Sequence, residues 1–231
     1  MRVLRQSEPI QTIRKQMIAA KTRSSRGKQN SLLYDLSQWR NNTIGSLGEN
    51  AIAGLLHSLP DSWLMMNNAI IPTKTGNLTE IDCILINSTG VYLIEVKTWK
   101  GSFAAYKDKW KRRDRDKWVF LENSPTEQSK YHQRIFTEWL TSHVSNLPKD
   151  CIIAPVIFPI AKWIGVTECS VPVFSKFNDF LKLIESRSQI FEQDTIEQIA
   201  QLLVNVKVRD FDPALLVKYQ NAQLKELFRI I

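Results

Sequence analysis

Three side chains stand at a spacing that could act on a phosphate ester: Asp82, Glu95 and Lys97. Both segments that carry them, residues 80–87 and 91–97, are rich in β-branched and aromatic residues, and Asn87 to Gly90 between them has hairpin-turn chemistry. Period-two alternation then sets Ile86 against Val91, Ile84 against Leu93, Asp82 against Glu95 and Glu80 against Lys97, all on one side of the hairpin. Two carboxylates facing each other across strands repel unless something neutralises them. Their oxygens are the hard ligands that Mg²⁺ or Mn²⁺ prefers, and such an ion would lower the pKa of water and take up charge on a phosphoryl oxygen. Lys97 would orient the water or stabilise the transition state. The same residues also fit a solvent-facing ladder in which Glu80 pairs with Lys97 and the other acids are hydrated. Apolar residues on both faces of the hairpin favour a cleft at the end of a buried sheet: Ile81, Cys83, Leu85, Tyr92, Ile94 and Val96 on one side, Ile84, Ile86 and Leu93 on the other.

The surrounding chain supplies elements to position these groups. Residues 63–71 read as a strand, and the loop from Pro72 to Asn77 brings Lys74 within possible reach of substrate. After Gly101 a meander is expected, with strands at 102–106, 110–113 and 118–122. Its segment Lys107–Lys117 holds seven basic residues and three acids, interleaved with Trp110 and Trp118. Such a surface suits phosphate tracking with aromatic stacking, through Lys107, Lys109, Trp110, Lys111, Arg112, Arg113 and Arg115, with Lys100 just upstream. Lysines on edge strands also block aggregation, which explains the same charges without a ligand. Ser124, Pro125 and Glu127 open a helix running to about Val144, with Ser124 as N-cap. Gln128 and His132 share one face of that helix, where Gln128 could orient Lys97 or simply face solvent. Residues 151–158 and 171–174 read as buried strands, 178–187 and 194–206 as helices, the latter with a capping box at Asp194 and Glu197. A final helix opens at Asp212. Upstream, residues 31–39 and 43–59 have helical spacing.

At these residues the chain resembles the nuclease-related domain (NERD) family of the PD-(D/E)XK superfamily. Asp82 with Glu95, Val96 and Lys97 matches the D…ExK signature. More specific is the order of pieces: Gly45 to Glu49 on a preceding helix, Glu80 to Asp82, Ile94 to Gly101, then Pro125, Gln128 and His132. The likeness spans roughly residues 41–187, with Cys83 and Ser124 standing where the family often has His and Asn. It implies a restriction-endonuclease-like fold and metal-dependent phosphodiester hydrolysis. Asp82, Glu95 and Glu49 would hold Mg²⁺ or Mn²⁺, Lys97 would assist the water, and Gln128 would position. Without the likeness, Glu49 also fits a capping box with Ser46.

Composition bounds the remainder. The 231 residues, 43% hydrophobic, suffice for one good core. No run approaches the ~18 apolar residues of a membrane span, and the start lacks the apolar stretch of a secretory signal, so a cytoplasmic protein with no membrane partner is expected. Three cysteines without CxxC spacing read as reduced core residues, and three histidines without pair spacing argue against zinc. Residues 1–30 carry eight basic residues against one acid, a net +7 in a chain of +8. That segment is expected to be a mobile arm that tethers nucleic acid through phosphate contacts, or else a helix packed on the body by Ile10, Ile13, Met17 and Ile18. The expected architecture is α/β: a mixed central sheet flanked by helices. Its layout is a basic extension (1–40), a nuclease-like core (41–190) and C-terminal helices (191–231). The expected function is metal-dependent nucleic-acid hydrolysis, with DNA the expected substrate. A module of the same fold that binds nucleic acid or a protein without chemistry is the alternative.

Overall fold

The computed structural model describes residues 1–16 and 59–208. In chain order the elements are β1 (Arg2–Leu4), α1 (residues 8–16), β2 (Leu64–Pro72), β3 (Leu78–Asn87), β4 (Gly90–Val96), β5 (Ser102–Tyr106), β6 (Lys109–Asp114) and β7 (Lys117–Phe120). There follow α2 (Pro125–Thr141), β8 (Ile152–Ile153), β9 (Val156–Ile157), β10 (Trp163–Thr167), β11 (Val173–Phe174), α3 (Phe177–Glu185) and α4 (Gln193–Val204). The main sheet runs β1-β2-β3-β4-β9-β11, with β8 also on β4, and a second sheet runs β10-β5-β6-β7. The main sheet is mixed: β2, β3 and β4 are antiparallel neighbours, while β1, β8, β9 and β11 pair in parallel. This is the expected α/β architecture, a mixed sheet flanked by helices as in restriction-endonuclease-like folds.

The β3–β4 hairpin forms in the expected register, with Ile86 opposite Val91 and Ile84 opposite Leu93. Its loop is Ser88 and Thr89, closed by Asn87 Oδ1, which accepts from Thr89 N at 2.9 Å and from Thr89 Oγ1 at 2.8 Å. Gly90 is required there: its φ is +145°, and a β-carbon would sit 2.7 Å from the Cys151 carbonyl oxygen. Alternation buries both faces. Ile84, Ile86, Val91 and Leu93 pack with Phe136 and Leu140 of α2, Ile199 and Leu203 of α4, and Phe103 and Trp110 of the second sheet. Cys83, Leu85, Tyr92 and Ile94 pack against Phe180 and Ile184 of α3. Each such aliphatic side chain contributes about 1.5–3 kcal/mol by leaving water, which makes the hairpin a rigid support for what lies at its end.

Several expectations need correction. The first sixteen residues are not a free arm: β1 extends the main sheet beside β2, Ile10 is buried, and Ile13 packs on the core. Buried Gln6 bonds both backbone groups of Ile70, accepting from its N at 2.8 Å and donating to its O at 2.9 Å. Glu80 pairs with Arg14 at 2.7 Å rather than with Lys97. The run 151–158 is two short strands, because Pro155 has no N–H to continue the ladder. The N-cap of α4 is Glu192, with no side-chain cap bond, and Glu197 instead pairs with Arg2 at 2.5 Å, so the Asp194–Glu197 box is not formed. Strand β10 was unforeseen. The helices expected at 31–39, at 43–59 and after Asp212 lie outside the described residues, as do Met17 and Ile18. Among the described residues no helix is long and apolar enough to cross a membrane.

Candidate active site

The C-terminal end of β4 carries the candidate chemistry, and backbone bonds from its parallel neighbour fix it. Glu95 N donates to Pro155 O at 3.0 Å, and Lys97 N donates to Ile157 O at 2.9 Å. Proline thus ends one ladder yet still offers the carbonyl that anchors Glu95. Helix α2 supplies the other wall. Ser124 caps it, accepting from Glu127 N at 3.2 Å, and Pro125 starts it, both as expected. The helix is tied to the sheet edge by Ser129 Oγ, which donates to Ala154 O at 2.7 Å, and by Gln133 Nε2, which donates to Ile152 O at 2.7 Å. With α2 so held, Gln128 and His132 face the end of β4.

The polar groups form one connected set. Lys97 Nζ donates to Glu95 Oε1 at 2.5 Å and to Gln128 Oε1 at 3.0 Å. His132, itself buried, places Nδ1 3.3 Å from Glu95 Oε2, near enough for charge attraction but outside hydrogen-bond geometry. Asp82 Oδ2 accepts from Val96 N at 3.1 Å, which brings Asp82 to the strand beside Glu95. Burial, then the Glu95 charge, pushes the Asp82 carboxyl up to about 7, against the opposing bond from Val96. Burial also pushes Glu95 upward, but the Lys97 charge and His132 outweigh it, so Glu95 titrates below the usual carboxylate range. One member of the pair is therefore firmly anionic, while the other is an acid whose charge is costly in the absence of a cation.

Among the described residues no group of three or more His, Cys, Asp or Glu side chains is arranged to hold a metal ion. Glu49, the third ligand expected from the family likeness, lies outside the described residues. The two acids nevertheless fit a hard cation. Glu95 Oε2 is fully buried and makes no hydrogen bond, with His132 Nδ1 3.3 Å away, so this carboxylate oxygen keeps acceptor capacity that a hard cation can use. Magnesium ordinarily needs only one or two protein carboxylates, its remaining positions going to water and substrate phosphate.

The expected nucleic-acid contacts divide. Lys100, Lys107, Lys109, Arg112, Arg113 and Arg115 are exposed, Lys111 is half-buried, and exposed Lys74 lies 4.0 Å from Glu138. Trp110 is a correction. It is 1% exposed, its Nε1 donates to Thr126 Oγ1 at 3.0 Å, and its ring packs with those of Trp99 and Phe158, so no base can reach it. The sequence reading missed Trp163, 50% exposed on unforeseen β10, whose ring centroid lies 6.1 Å from that of Trp118. A tryptophan near Gly165 was visible in the sequence, but only parallel pairing of β10 with β5 puts it beside Trp118.

Comparison with known proteins bears on this arrangement. The chain is 28% identical over 181 residues to an uncharacterized protein of Bacillus anthracis, covering 73% of this chain and 79% of that one. No solved structure matches it. Residues 44–159 match the family described as "Nuclease-related domain", a span that takes in β2 to β9, α2 and every residue of the Lys97–Glu95–Gln128 set. The chain belongs to the nuclease-related domain (NERD) family.

Proposed function

We propose that this protein is a Mg²⁺- or Mn²⁺-dependent nuclease that hydrolyses phosphodiester bonds of DNA, with Asp82 and Glu95 holding the cation. A divalent cation bound there supplies Lewis-acid stabilisation of the charge that builds on the phosphoryl oxygens. The protein's own residues do the rest. Lys97 is the key: an ammonium has three N–H donors, and Glu95 and Gln128 take two of them. The third is left for a phosphoryl oxygen or the attacking water, aimed by a side chain whose other bonds already fix its orientation. Gln128 thus acts as a positioning residue through Lys97, and His132 restrains Glu95 from the side away from Lys97. The observation that carries this reading is the buried Glu95 carboxylate, with one oxygen on Lys97 and the other beside His132 but without a hydrogen bond.

The test is incubation of the purified full-length protein with circular and linear DNA, with chelator, Mg²⁺ or Mn²⁺. Nicking or degradation is expected only with a divalent cation, and is lost in Glu95→Gln and Lys97→Ala, with circular dichroism showing that each variant is folded at the assay temperature. Wild-type rates in Lys97→Ala would overturn the mechanism. DNA bound but intact under both metals would overturn the nuclease assignment and leave a module that holds nucleic acid without chemistry.

A further inference from the structure

Residues with solvent-exposed large apolar side chains are few among those described, and they are not scattered. Of Val3, Tyr106, Trp118, Val119, Phe120, Ile160 and Trp163, all but Val3 lie in or beside the four-stranded sheet. Alternation explains how the sheet divides. Phe103, Ala105 and Trp110 point inward to the core, so the outward positions are Ser102, Ala104 and Tyr106 on β5, and Lys109, Lys111 and Arg113 on β6. Trp118 and Phe120 on β7, with Trp163, Gly165 and Thr167 on β10, complete the outer face. Every charged residue at these outward positions is basic.

The Trp163 ring is laid flat by the glycine two residues on. A β-carbon on Gly165 would sit 2.0 Å from Trp163 Cη2, so the indole lies across a glycine while half of the residue's surface stays exposed. Cations line the remaining rings. Lys111 Nζ is 4.3 Å from the Phe120 ring centroid and Arg113 Cζ is 5.9 Å from that of Trp118. None of Lys109, Lys111 and Arg113 makes a salt bridge with a described acid. Exposed π-faces surrounded by unneutralised cations are complementary to a polyanion that carries flat rings with free faces, and a contiguous exposed patch of this kind marks an interaction site. A duplex covers the faces of its bases by stacking; a single strand does not. The sheet is also close to the candidate chemistry, since Lys97 and Ser102 are separated by five residue steps, at most about 18 Å of extended chain.

We propose that the outer face of the β10-β5-β6-β7 sheet is a platform for single-stranded nucleic acid, on which bases stack against Trp163 and Trp118 while Lys109, Lys111 and Arg113 take the phosphates. This rests on the nucleic-acid reading above and adds to it the strand form of the ligand and the surface that holds it. Binding is measured by fluorescence anisotropy in chelator, where no cleavage can interfere, with a labelled oligothymidylate, a duplex of mixed sequence and heparin as a charge-only competitor. The oligothymidylate should bind more tightly than the duplex. Trp163→Ala and Trp118→Ala should each weaken it roughly ten-fold, the range for loss of one base–aromatic stack, with duplex affinity and thermal midpoint unchanged. Gly165→Ala should do the same as Trp163→Ala, because it keeps the indole but dislodges it, and Trp163→Phe should recover part of the affinity. Lys109→Ala should weaken both nucleic acids and flatten the salt dependence. Wild-type oligothymidylate affinity in both tryptophan variants would overturn the platform. That result with cleavage intact would spare the nuclease reading, whereas ring-dependent binding without metal-dependent cleavage would do the reverse.

Discussion

Removing the charge of Asp82 should make the metal-free protein more stable at neutral pH, and the gain should depend on pH in a direction set by the structure. The Asp82 carboxyl titrates at about 7 in the fold against 3.8 ordinarily, because it is buried and faces the Glu95 charge. Between those values the folded protein holds a proton that the unfolded chain has released, so stability falls as pH rises. The contribution is fully present below 3.8 and is lost as pH passes through about 7. At 1.36 kcal/mol per pKa unit, the part lost between pH 5 and pH 8 is on the order of 2 kcal/mol. Asp82→Asn keeps an acceptor for Val96 N but cannot ionise. In urea titrations with chelator, the wild type should lose about 2 kcal/mol across that window relative to the variant. Adding Mg²⁺ or Mn²⁺ at ten times its dissociation constant should restore ~1.4 kcal/mol to the wild type and little to Asp82→Asn. Parallel pH profiles for the two proteins would refute the burial and pairing argued for Asp82, whatever the outcome of cleavage assays.

Two further outcomes test the corrected elements. Trp110→Ala should destabilise by about 3–5 kcal/mol through the cavity it leaves, whereas Trp118→Ala should change stability by no more than ~0.5 kcal/mol; equal effects in chemical denaturation would contradict the assignment of inner and outer faces. Gln6→Leu should cost about 1–3 kcal/mol in the same assay by leaving the buried N–H and C=O of Ile70 without partners, and an unchanged midpoint would return the first residues to a dispensable arm.

Local chemistry made much of this protein legible before its fold was seen. The register of β3 with β4 follows from period two and a turn with Asn87 and Gly90, so the meeting of Asp82 and Glu95 was readable from a few neighbouring residues. The start of α2 was equally local, since Ser124 and Pro125 are the cap and first residue of that helix by themselves. The turns at Lys107–Asp108 and Asp114–Asp116 likewise placed β5, β6 and β7 to within a residue or two. Alternation, however, says that Trp110 and its neighbours Lys109 and Lys111 face opposite ways, not which way is inward. That was decided by contact with Trp99, Phe158 and Thr126, residues distant or beyond a turn in sequence. The partners of charged groups were decided the same way: Glu80 found Arg14, and Glu197 found Arg2 across almost the whole chain. Parallel pairing has no local signal, because its strands are joined by crossovers of about a dozen residues or many more, as between β5 and β10. Only the tertiary structure, therefore, could set Pro155 O under Glu95, bury Glu95 Oε2 beside His132, and bring Trp163 over Gly165 to Trp118.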